Sequence, residues 1–174
     1  NMQKKRSSLT QEKGLKKSSI HIHFICAGNA YRSRLAEAYV RSLNIPEIKT
    51  SSSGVVADIH RKKNGPICWY ALRLAVKYGI HEHISELSIQ TKNKLIKVSD
   101  HVVFMHPENR DAFAKSFGYL PPSHEVWDIP DLHHLGFTGG SLTNGKESEL
   151  IRATEETFTA IRKRVDKLVK KELR

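Results

Sequence analysis

The run Cys26-Ala27-Gly28-Asn29-Ala30-Tyr31-Arg32-Ser33 places a thiol and a guanidinium around five intervening residues. A cysteine thiolate is a strong nucleophile, and an arginine fork can hold two oxygens of a tetrahedral oxyanion at once. Gly28 accepts backbone angles that a Cβ forbids, and Asn29 tolerates the left-handed region. A loop of this composition can turn successive amides toward one point. The chemistry implied is capture of a phosphate-like anion from Ala27 to Ser33, followed by attack of Cys26 sulfur on its central atom. The field that holds the anion also favours thiolate over thiol, and Ser33 can donate its hydroxyl to the sulfur.

Such a loop needs a strand before it and a helix after it. Ile20 to Ile25 reads as a buried strand, and Arg34 to Val40 as a helix whose N-terminal amides and dipole face the same anion. Glu47 to Ser53 reads as a second strand, ended at Gly54. Ile67 to Tyr78 has helical spacing and stops at Gly79, with Trp69, Tyr70, Leu72, Leu74 and Val76 expected in its buried face. A short helix follows at Thr91 to Val98. His101 to Met105 is a third strand, Pro107 opens a helix to Phe117, and Val126-Trp127 belongs to a brief fourth strand. The last helix runs from Glu147 to Lys171, with Ile151, Phe158, Ile161, Val165 and Leu168 on one face. Short apolar strands alternating with helices predict an α/β domain: a central four-stranded parallel sheet, helices on both faces, and the phosphate loop after the first strand. Ligands of such sheets sit beyond the strands' carboxyl ends.

Composition bounds the rest. The 174 residues suffice for one well-buried domain and not two. Two cysteines cannot build a secreted disulfide framework, and with no signal-peptide core and no apolar run of membrane length the expected location is cytoplasmic. The net charge of +11 is concentrated at the start, where Lys4, Lys5, Arg6, Lys13, Lys16 and Lys17 face only Glu12. Residues 1–18 are read as a basic, disordered tail and residues 19–174 as the domain. No aromatic residues interleave with those charges, which argues against nucleic acid as a partner.

The loop resembles the signature Cys-x5-Arg-Ser of the low-molecular-weight protein tyrosine phosphatases, in their Cys-x-Gly-Asn-x-x-Arg-Ser version. That resemblance implies a metal-independent phosphatase without cofactor. It would hydrolyse phosphotyrosine in a phosphorylated protein through a cysteinyl-phosphate, with inorganic phosphate or vanadate as loop ligands. It also implies a general acid on a loop before the last helix. The segment Val126-Trp127-Asp128-Ile129-Pro130-Asp131-Leu132 supplies Asp131, with Asp128 as the rival. Ser52 or Ser53, before Gly54, corresponds to a serine that supports the loop asparagine in the family, with Ser52 as the candidate. Three departures stand out. Leu132 replaces a proline after the acid, Tyr31 occupies the place of a second cysteine, and Ala30 replaces a larger residue that helps separate phosphotyrosine from phosphoarginine enzymes.

Other readings compete. Phosphoarginine hydrolysis and arsenate reduction use the same loop, though the thioredoxin-coupled reductases need cysteines this chain lacks. A non-catalytic phosphate- or nucleic-acid-binding module is the remaining alternative. Gly140 to Lys146 fits the first seven positions of a nucleotide-binding loop, but Glu147 stands where a magnesium-binding Ser or Thr belongs. The histidine pairs His21/His23, His81/His83 and His133/His134 lack the spacing of a known metal site, so no metal is expected. Cys68, between Ile67 and Trp69, is read as an inert core residue.

Overall fold

The computed structural model describes residues 19–138 and 146–174; the basic tail and residues 140–145 of the nucleotide-loop-like segment lie outside them. Four strands, β1 (Ile20–Cys26), β2 (Ile48–Gly54), β3 (His101–Phe104) and β4 (His124–Val126), form one sheet in the order β2-β1-β3-β4. Every neighbouring pair is parallel. All four carboxyl ends therefore meet at one edge, and Cys26 sits there in register with Gly54.

Alternation along β1 feeds two cores. Ile22, Phe24 and Cys26 join the larger one, under α1 (Arg32–Ser42), α3 (Trp69–Lys77) and α6 (Glu147–Glu172). Ile25 joins Val102, Phe104, Ile96 and Phe113 on the other face, under α4 (Asn93–Lys97) and α5 (Pro107–Phe117). Single-domain α/β architecture with helices on both faces follows from this division. His23 is completely buried on the second face and is satisfied by Ser51 (2.6 Å) and Ser53 (2.7 Å) of β2. His21 likewise bonds Ser51, so this histidine pair is spent on serine hydroxyls.

Three local readings change. An additional helix, α2 (Ala57–Asn64), lies between β2 and α3; only Ala57 of it is buried, so it carries no apolar periodicity to betray it. In α3 the buried stripe is Tyr70, Ala71, Leu74 and Ala75, while Trp69, Leu72 and Val76 are exposed. The helix packs on α1 and α6 along one side only, so three of its apolar residues face outward. In α6 Leu150 is fully buried and Ile151 only partly, because the contact stripe runs through Leu150, Thr154, Thr157, Phe158, Ile161 and Val165.

Candidate active site

The loop leaves β1 at Cys26 and enters α1 at Arg32. Its path is set by β2: Val55 and Val56 donate their amides to the carbonyls of Cys26 and Ala27, both at 3.0 Å. Gly54 allows this approach, since a Cβ there would lie 2.4 Å from the Ala27 carbonyl oxygen. Asn29 takes the left-handed turn with φ 51°. Among the described residues, no protein group accepts a backbone hydrogen bond from Gly28, Ala30, Tyr31, Arg32 or Ser33. With no acidic residue in its first turn, α1 offers these amides to an anion.

A directed chain of hydrogen bonds reaches the sulfur. Asn29 Oδ1 accepts from the Ile89 amide at 2.8 Å, which forces the Asn29 amide nitrogen toward the two serines. That nitrogen donates to Ser33 Oγ (2.8 Å) and Ser52 Oγ (2.9 Å). The Ser52 hydroxyl in turn donates to Glu37 Oε2, 2.5 Å away. Ser33 has one proton to give; Cys26 Sγ is 2.9 Å away and the Ser53 carbonyl 3.5 Å, so the hydroxyl donates to sulfur. The Asn29 amide adds a second donor at 3.3 Å. The arrangement suits a thiolate, and the expected support from Ser52 comes through Asn29. Burial pushes the Glu37 carboxyl above its usual range, opposed by Ser52 and by Arg41.

Arg32 is buried and donates to the Ile129 carbonyl (2.8 Å) and to Asp131 Oδ2 (2.7 Å). Asp131 Oδ1 accepts from the Leu132 amide at 2.8 Å, and the Asp131 amide donates to His134 Nδ1 at 2.9 Å, capping a 3-10 turn over Leu132–Leu135. This turn takes the place of the proline that the resemblance leads one to expect after the acid. The structure brings Cys26, Arg32 and Asp131 to one small cavity of about 60 Å³. It does not bring Asp128, whose side chain is 81% exposed and points to His106.

Three residues of that cavity escaped the sequence reading. His60, on the unforeseen α2, lies over Gly28 closely enough that a Cβ there would meet its ring at 2.6 Å. Burial lowers its imidazole below the ordinary value, partly offset by Asp131. Tyr70 adds an aromatic wall, edge-on to Tyr31 at 4.9 Å. Cys68 is the third: it packs, partly buried, against the larger core as expected and in addition lines the cavity wall, its amide bonded to the Ala30 carbonyl. Burial pushes its thiol up to about 11, which keeps it protonated at neutral pH.

A family model described as low molecular weight phosphotyrosine protein phosphatase matches residues 21–174. The chain belongs to this family. Solved structures of low-molecular-weight phosphatases share its fold. Wzb from Vibrio vulnificus, in complex with benzylphosphonate, is 18% identical over 85% of this chain and 98% of its own, with a TM-score of 0.64. A low molecular weight protein tyrosine phosphatase from Bacillus subtilis is 23% identical over 89% of this chain and 100% of its own, TM-score 0.64. YwlE arginine phosphatase from Geobacillus stearothermophilus is 22% identical over 88% and 96%, TM-score 0.63. No curated protein matches the chain by sequence. Among the described residues, no helix of this phosphatase-family chain is long and apolar enough to cross a membrane.

Proposed function

We propose that this chain is a protein tyrosine phosphatase that works through a cysteinyl-phosphate. The observation that carries the reading is the convergence of Cys26 Sγ, the Arg32 guanidinium and the Asp131 carboxyl on one cavity, beside loop amides that have no acceptor among the described residues at Gly28, Ala30, Tyr31, Arg32 and Ser33. Phosphate of the substrate takes the loop amides of Ala27 to Ser33. Arg32 exchanges Asp131 for two phosphoryl oxygens, and negative charge spreading in the transition state meets fixed donors. Cys26 sulfur bonds to phosphorus as the phosphorus–oxygen bond of the ester breaks, and Asp131 gives its proton to the departing phenolate oxygen. Water then attacks phosphorus, Asp131 takes its proton, and the sulfur–phosphorus bond breaks to release inorganic phosphate. The step needs no metal.

The walls favour phosphotyrosine as substrate. Tyr70 and the His60 ring line the cavity and offer flat surfaces to a phenyl group. Phosphoarginine is the runner-up, since the similar YwlE is an arginine phosphatase and Ala30, in place of a larger residue, does not impose the choice. Steady-state hydrolysis of phosphotyrosine, phosphoserine and phosphoarginine peptides separates these readings; preference for phosphoarginine overturns the choice. Cys26→Ser should lose at least about a thousandfold in kcat while retaining vanadate binding. Substantial turnover by that variant would sink covalent sulfur catalysis.

A further inference from the structure

The carboxyl edge of the sheet holds a second cluster, outside the phosphate cup. His106 follows β3 and caps α5, Glu108 lies in the first turn of α5, and His134 stands on the 3-10 turn behind Asp131. One ligand atom from each of the three lies within 4.8 Å of the others. The His106 and His134 rings stack at 4.2 Å, and His134 Nε2 is 3.0 Å from Glu108 Oε2. Asp128 Oδ1 approaches His106 Nε2 to 3.5 Å. Two imidazoles with carboxylates form a donor set suited to zinc and its borderline neighbours.

We propose that His106, Glu108 and His134, with Asp128 as fourth ligand, bind a divalent transition-metal ion of the zinc class, and that its binding opposes the held position of Asp131. The opposition follows from the rings' other nitrogens. His134 Nδ1 accepts the Asp131 amide at 2.9 Å, and His106 Nδ1 accepts the Glu108 amide at 3.3 Å. An imidazole that ligates through Nε2 carries its proton on Nδ1, where it meets an N–H instead of accepting from it. Ligation at His134 therefore releases the Asp131 amide and undoes one bond of the turn that holds the carboxyl. The ion is an inhibitor of the acid-assisted step. The inhibition rests on Asp131 serving as the acid; the binding does not.

The test of binding uses Cys26→Ser protein, which removes the reactive thiolate as a competing ligand. After dialysis against chelator, Co²⁺ is titrated by calorimetry and visible absorption. One ion per chain with no thiolate charge-transfer band is expected, and His106→Ala and Glu108→Gln should each weaken binding at least about tenfold. A thiolate band, no binding at millimolar Co²⁺, or binding unchanged in both variants overturns the site. The coupling is read in the unsubstituted protein with Zn²⁺: hydrolysis of phenyl phosphate should fall more than that of para-nitrophenyl phosphate, whose leaving group needs less protonation. Equal loss on both overturns the coupling. Absent hydrolysis of either substrate, with binding intact, sinks the phosphatase reading and leaves the metal site standing.

Discussion

Both oxygens of Asp131 are engaged, one by Arg32 and one by the Leu132 amide. Phosphate and Asp131 thus compete for the same guanidinium. Asp131→Asn removes the competing charge together with the transferable proton, so its two effects should have opposite signs. Vanadate and phosphate should bind more tightly, while kcat on phenyl phosphate falls roughly a hundredfold, the usual scale of a lost general acid. Activated leaving groups should suffer less. Asp128→Asn should change neither number, because that carboxylate faces His106. Stopped-flow rates and phosphate inhibition constants for the two variants decide the matter; the pattern appearing in Asp128→Asn would transfer the role.

At the scale of elements, the loop is pinned by the end of β2. Gly54 pairs with Cys26, and its missing Cβ leaves room for the Ala27 carbonyl and the Asn29 amide, 2.4 and 2.6 Å from where that carbon would stand. These are backbone atoms and cannot swing away. Gly54→Ala should cost about 1–3 kcal/mol of stability by overpacking and lower kcat/KM at least about tenfold, since the amides of the cup shift together. Thermal melts and kinetics check this; full activity would show that β2 does not set the loop. The strand–loop–helix unit was legible because its signals are local: an apolar run, then Gly28 and Asn29, then a helix-forming run. Helix α2 was not, because it buries only Ala57 and exposes Ile59, leaving no apolar stripe to read.

The whole molecule keeps His23 neutral. Burial, with the neighbouring His21 adding to it, lowers its pKa from 6.5 to about 3. The unfolded chain then binds a proton that the folded one refuses, so stability is undiminished above pH 6.5 and falls as pH drops toward 3. Each pH unit within that window costs about 1.4 kcal/mol. His60 and His101, also lowered by burial, act with the same sign. Urea unfolding should therefore show a loss of about 2 kcal/mol between pH 6.5 and pH 5, with a shallower slope in His23→Gln. A midpoint that holds steady on acidification contradicts this.

The sequence alone determined the anion loop, the strand before it and the helix after it, because each is fixed by neighbours in the chain. The loop also carried the resemblance to the family, and the alternation of apolar runs of strand and helix length gave the parallel α/β plan. Tertiary structure decided what stands around the loop. Gly28 meets His60, Cys26 shares a cavity with Asp131 and Cys68, and His106 meets His134 only because parallel pairing gathers every strand's carboxyl end at one edge. Those meetings depend on contacts between distant residues, for which sequence spacing carries no signal.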